Sequence, residues 1–282
     1  MKKKLVETVV LLLKGGAIGV ANIIPGVSGG TLAVVLGIYD RLIESISRFF
    51  DRPEKRKEYI FFLVKVFSGA VAALVLLAKV MDLMLTEHFH KTMFLFMGLI
   101  LGGIPAVIRS HGDMKIRTSR ILAFIIGVIL VLGISVVGKA QGHDSMTVVP
   151  AVQGTSSYVM LAIAGFLAGG AMIVPGVSGS FILVLMGQYV IIIGAIKDLA
   201  MKPLGFVALG AVAGVMVFSR IIEICLEKIP SVTYYFILGL ILASFYKIFP
   251  GIPADRTVLL YCVGAFVVGA IVSYALSKVS AE

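Results

Sequence analysis

Long apolar runs alternate along this chain with short charged or polar stretches. The runs cover 5–24, 31–46, 59–80, 92–108, 121–138, 158–174, 180–196, 204–219, 233–249 and 257–277. At about 1.5 Å of helical rise per residue, a run of about 20 apolar residues crosses the hydrocarbon core of a bilayer. Between them, 41–58 reads as a charged loop with six Lys/Arg, and a short polar loop holds Asp82, Glu87, His88 and His90. The stretch 109–120 is basic, and 139–157 is a polar linker.

One stretch occurs twice. Asn22, then Pro25-Gly26-Val27-Ser28-Gly29-Gly30-Thr31, returns as Met172, then Pro175-Gly176-Val177-Ser178-Gly179-Ser180-Phe181. The copies match without a gap over 15–39 and 165–189, each ending in Gly-x-Tyr at Gly37/Tyr39 and Gly187/Tyr189. Further on, 69–101 matches 210–242, which pairs Lys79 and Asp82 with Arg220 and Glu223. Proline cannot continue a helix from before, and the glycines allow backbone angles that other residues avoid. A break inside lipid bares N–H and C=O groups that protein, water or a ligand must satisfy. The run after each break presents a helix N-terminus to it, with Ser28 and Ser178 adding hydroxyls and Thr31 or Ser180 placed to cap. That is the chemistry of a small anion site, phosphate first. A kinked helix with packing glycines is the plainer alternative. Two copies in corresponding halves point instead to the central site of a transporter.

The expected fold is an all-α polytopic membrane protein with an inverted-topology repeat. Each half is a broken re-entrant hairpin plus three transmembrane helices. The first repeat is 1–138 (hairpin 5–46, spans 59–80, 92–108, 121–138), the linker 139–157, and the second repeat 158–282 (hairpin 158–196, spans 204–219, 233–249, 257–277). Composition agrees: 59% of the 282 residues are hydrophobic and only 14% charged, with a mean hydropathy of +1.07. The net charge of +10 lies in the loops, so it speaks for membrane orientation rather than nucleic acid. An inside N-terminus leaves about 16 Lys/Arg in cytoplasmic segments and about 7 outside, as the positive-inside rule requires. Three spans per half then invert the second half and return the C-terminus to the cytoplasm. The start, Met1-Lys2-Lys3-Lys4 before an apolar run, imitates a signal peptide. The repeat begins directly after it, so it is read as part of the protein. Cys225 and Cys262, with no CxxC, give neither a disulfide framework nor a metal site.

The paired motifs, Gly19 to Thr31 and Gly169 to Ser180, resemble those of the PopT-like family, bacterial and archaeal membrane proteins long classed as a domain of unknown function. The resemblance spans essentially the whole chain. It implies translocation of undecaprenyl or other polyprenyl phosphate, the lipid carrier of cell-wall precursors, from the outer to the inner leaflet of the cytoplasmic membrane. By carry-over the head group sits at Asn22, Pro25, Gly26, Ser28, Gly29, Gly30, Pro175, Gly176, Ser178 and Gly179, with Val27, Thr31, Val177 and Ser180 beside them. The first copy is the more polar and is expected to make the closer contacts.

A phosphate cannot enter hydrocarbon unpaired. Lys14 and Lys65 lie inside apolar runs, where their repeat equivalents are Ala164 and Phe206. They are candidate charge partners, or they snorkel to the interface. The Lys79/Asp82 and Arg220/Glu223 pairs read first as span-end ion pairs. Inward movement of an anion against an inside-negative potential costs about 2.3 kcal/mol per charge per 100 mV. A coupling cation is therefore expected, H⁺ or Na⁺, with no other cofactor. Glu223 is the end-of-span acid considered for the proton.

Other classes fit less well. Gly26-Val27-Ser28-Gly29 contains the G-x-S-G of intramembrane serine proteases, but such a serine needs a base, and all four histidines are expected in loops. A lipid phosphatase would show a His and Arg/Lys cluster that is absent here. No enzyme is expected. A carrier for a small water-soluble anion such as phosphate stays open beside the lipid reading, and a scaffold is the weaker third.

Overall fold

The computed structural model describes residues 2–23, 28–109, 113–140 and 155–278. Among these, all regular structure is helical. The first half holds α1 (Lys2–Ile23), α2 (Gly29–Val35), α3 (Tyr39–Ser47), a 3-10 turn at Pro53–Lys55, α4 (Arg56–Glu87), α5 (Phe89–Arg109) and α6 (Thr118–Ala140). The second holds α7 (Thr155–Ile173), α8 (Gly179–Leu185), α9 (Tyr189–Lys197), α10 (Met201–Lys228), α11 (Pro230–Lys247) and α12 (Arg256–Lys278). Among the described residues five helices, α1, α4, α5, α10 and α12, are long and apolar enough to cross a membrane, and α8 with α9, bent by 113°, makes a sixth if taken as one broken span. Leu76, Leu209 and Leu260 are each more than 70% exposed. Apolar side chains on the outside of a helical protein mark lipid as its solvent.

Three expectations change. The apolar runs after the two breaks are not single helices. Each ends after seven residues and turns at a glycine in the left-handed region, Gly37 (φ +70°) and Gly187 (φ +66°). Glycine takes that conformation without the Cβ clash of other residues. The charged loop at 41–58 is largely helix as well. Tyr39 and Ile43 of α3 face inward while Asp40 and Arg41 face out. The polar loop at 82–90 shrinks to one residue, His88. Asp82 and Glu87 extend α4, and His90 lies in the first turn of α5 rather than in a loop. The corner is this tight because the Thr92 hydroxyl donates to the carbonyls of Met84 (2.9 Å) and His88 (3.0 Å). Its repeat equivalent Thr233 bonds Cys225 and Ile229 in the same way at the α10–α11 corner. The linker 139–157 lies mostly outside the described residues.

The principal helix pairs are α1 with α4, α7 with α10, α5 with α12, and α6 with α11. Glycines line each seam. A Cβ on Gly15 or Gly19 would overlap the carbonyl of Val66 or Ala70, and one on Gly165 or Gly169 that of Val207 or Ala211. Gly98 and Gly102 sit likewise against Phe266 and Ala270, and Gly127 against Phe236. Lipid gives no hydrophobic drive between helices, so close backbone approach through small residues holds them together. The core is asymmetric. All seven residues of α2 are buried, among them Leu32, Val34 and Val35, whereas only Gly179 is buried in α8.

Candidate functional site

The two breaks share a backbone form. Ser28 (φ −105°, ψ 129°) and Ser178 (φ −98°, ψ 128°) are the extended N-cap residues of α2 and α8, and neither side chain caps its helix. Thr31 and Ser180 do not cap either. The Gly176 N–H donates to Thr31 Oγ1 at 2.8 Å, and the Ser178 and Ser180 hydroxyls pair with each other at 2.9 Å. The caps expected from sequence are therefore replaced by contacts across and within the breaks.

The breaks meet. Gly30 lies against the carbonyls of Met172 and Ile173 and the nitrogen of Pro175, where an added Cβ would sit 3.1–3.4 Å away. Tyr39 Oη donates to the Ile173 carbonyl at 3.0 Å, so α3 also reaches the second break. Gly176 (φ +84°) packs beside Ser244 Oγ and the Leu240 carbonyl of α11. Asn22, exposed at the end of α1, lies against Gly29 across the first break. Pro175, Gly176, Val177 and Gly179 are buried, and Ser180 is exposed. Pro25, Gly26 and Val27 lie outside the described residues.

The two serines differ. Ser28 Oγ is buried, at 3% exposure for the residue, and has no hydrogen-bond partner among the described residues. A buried hydroxyl without a partner costs about 1–3 kcal/mol, and most such groups in proteins are satisfied. Ser178 is half-buried and already paired.

Of the charged candidates, Lys14 is fully buried, and its ammonium donates to the Leu36 carbonyl at the end of α2 at 2.8 Å. It does not snorkel; it ties α1 to the helix beyond the break. Lys65 is half-buried and Lys79 exposed, both on α4, while the Asp82 side chain lies outside the described residues. Arg220 and Glu223 form the expected i,i+3 ion pair at 2.8 Å.

Glu223 belongs to a larger cluster that the sequence did not show. Arg48, the residue just after α3, bridges Glu223 and Glu227, and Arg220 also reaches Asp51 at 3.0 Å. Tyr234 Oη donates to Asp40 Oδ2. Asp40, Arg48, Glu223, Glu227 and Tyr234 line a cavity of about 390 Å³ between α3 and the α10–α11 corner. Nearby, Arg120 wraps the 113–117 loop by bonding Asp113 and the Lys115 carbonyl. Ser231 and Tyr235 of α11 donate to the carbonyls of Asp113 and Met114. All these contacts lie at one end of the helices, and that end is rich in Arg and Lys. Arg120 holds the Asp113 carboxyl at about 2, well below the usual carboxylate range.

The family model described as VCA0040-like, undecaprenyl phosphate translocase-like, matches residues 18–260, a span containing both breaks. The chain is 36% identical over 251 residues to the polyprenyl-phosphate transporter of Vibrio cholerae, covering 84% of this chain and 76% of that protein. It is 32% identical over 278 residues to the polyprenyl-phosphate transporter of Staphylococcus aureus, covering 96% of both. No solved structure matches.

Proposed function

The chain belongs to the VCA0040-like, undecaprenyl phosphate translocase-like family, and from that premise we propose that it moves polyprenyl phosphate across the cytoplasmic membrane of a prokaryote. The observation that carries the reading is that the family match runs through both breaks and the helices that hold them. The head group binds where the breaks meet, at Asn22, Ser28, Gly29, Gly30 and Thr31, with Pro175 to Ser180 as the opposite wall. Ser28 Oγ, buried and without a partner among the described residues, supplies a donor for a phosphate oxygen. The tail is apolar and needs no polar path, so only the head group does. That arrangement requires transport, not bond chemistry.

The halves are inverted repeats with re-entrant hairpins at 5–46 and 158–196. Support comes from the exchanged pairing of helices. The α1–α4 pair answers to α7–α10, and α5–α12 to α11–α6. The shared basic end of α3, the 113–117 loop and the α10–α11 corner faces the cytoplasm, which puts both termini there. Movement runs from outer to inner leaflet and is coupled to H⁺ or Na⁺, which offsets the work against the membrane potential.

The test is transport in proteoliposomes of a long-chain polyprenyl phosphate beside soluble phosphate, with pH and Na⁺ gradients imposed separately. Gradient-dependent lipid movement that Ser28→Ala abolishes is the expected result. Movement of soluble phosphate alone would overturn it in favour of a small-anion carrier.

A further inference from the structure

A groove of about 690 Å³ runs between α1, α4 and α5, lined by apolar side chains such as Leu12, Leu13, Val20, Leu76 and Leu99. Its counterpart in the second half, between α7 and α10, holds only about 370 Å³. The difference traces to a few residues. Phe166 occupies the position equivalent to Gly16, and its ring packs edge-on against Phe218 at 5.9 Å. Phe218 also fills the space over Gly170, the counterpart of Val20. Phe206 stands where the first half has Lys65 and stacks on Tyr158.

Gly16 is not needed for helix packing. Its neighbours Gly15 and Gly19 are, since a Cβ on either would overlap α4 backbone, but a Cβ on Gly16 would meet Ala73 and Gly69 at ordinary distances of 3.5–3.6 Å. A helical glycine that closes no seam is a local cost in stability; what it does here is leave the groove open. The groove follows α1 from Val9 to Val20 and ends two residues before Asn22, whose side chain lies at the first break. The open groove is thus in the same half as the buried, unpartnered Ser28 hydroxyl, and the filled one is in the half whose serine is already paired.

We infer that the α1–α4–α5 groove is the binding site for the polyisoprenoid tail, holding the segment next to the head group while the phosphate sits at the first break. This rests on the transport reading above. A branched, unsaturated isoprenoid chain is thicker than a saturated acyl chain, and a wide apolar groove suits it. The exposed leucines Leu13 and Leu76 at its rim leave it open to the bilayer, so the rest of the tail can trail into lipid.

The experiment is photolabelling of the full chain in proteoliposomes by a long-chain polyprenyl phosphate that carries a diazirine on its head-proximal isoprene units. The expected label falls on α1 and α4, is competed by unlabelled polyprenyl phosphate and is not competed by phosphatidic acid. Gly16→Phe, which copies the second half, lowers the labelling by about tenfold, as overpacking a formed site does. Gly16→Ala leaves it within about twofold, since its Cβ fits. Leu76→Trp fills the groove from α4 and has the same effect as Gly16→Phe, so the outcome does not depend on one variant folding. Competed label on α7 and α10 instead, or equal competition by phosphatidic acid, overturns the tail site and leaves head-group transport standing. Label that polyprenyl phosphate does not compete anywhere overturns both.

Discussion

Thr31 and Gly176, 145 positions apart in the chain, are joined by a 2.8 Å hydrogen bond in which the Gly176 amide donates to the threonine hydroxyl. The bond fastens one break to the other. It has no repeat-related partner, because Phe181 stands at the position equivalent to Thr31 and its ring faces the Lys247 ammonium at 4.5 Å. Thr31→Val keeps the shape and strands a buried N–H, at a cost of about 1–3 kcal/mol. The melting temperature in detergent is expected to fall for Thr31→Val and to recover largely in Thr31→Ser. Equal melting of wild type and Thr31→Val would show that the bond does not form.

Ser28→Ala and Ser178→Ala are expected to behave differently although the serines occupy equivalent positions. Ser28 has no partner to lose among the described residues, so its alanine variant should melt at or slightly above the wild-type temperature, yet lose transport. Ser178→Ala breaks a half-exposed hydroxyl pair and should keep most of the transport. Flux assays beside thermal melts decide this, and equal losses of transport would remove the asymmetry.

The glycines of α1 sort by what faces them. Gly19→Ala forces α1 from α4 and should destabilise by about 1–3 kcal/mol. Gly16→Ala meets no obstacle and should be neutral or stabilising by up to about 1 kcal/mol. A pair of unfolding curves in one detergent suffices, and a larger loss from Gly16→Ala than from Gly19→Ala would contradict the packing described.

Acid should loosen the loop between α5 and α6. Arg120 holds Asp113 at about 2 in the folded protein, against about 3.9 for a free aspartate. A depressed carboxyl contributes stability that is complete above the free value and is lost as pH falls through the folded one. The melting temperature should therefore drop between about pH 4 and pH 2, and Asp113→Asn should flatten that part of the profile. An unchanged slope in the variant would assign the acid sensitivity elsewhere.

Much of this was legible in the sequence, and the gaps have physical reasons. The doubled Pro-Gly-Val-Ser-Gly stretch singled out two equivalent positions because proline and glycine act locally, and Ser28 and Ser178 do share one backbone conformation. Gly37 and Gly187 were visible as a shared Gly-x-Tyr but read as an end rather than a turn, since apolar residues continue on both sides. The helix α3 hid in a charged stretch because charge density masks amphipathicity over nine residues. The Asp40–Tyr234 bond and the role of Arg48 joined distant segments, and no local pattern encodes which loop meets which corner. A local signal did exist for Asp40, an acid directly after the repeated tyrosine where the second copy has Val190. For Lys14 the sequence raised the right question, a buried cation without a counterpart, but its partner is a backbone carbonyl that every residue carries.

The exchange of helices between halves bears on how the protein is made. The helices α5 and α6 leave the ribosome long before α12 and α11, the partners whose glycine seams they close. During synthesis both must wait in the bilayer with their packing faces uncovered. A chain that stops after its first half would leave those two seams unclosed. The second half completes the first as much as it mirrors it.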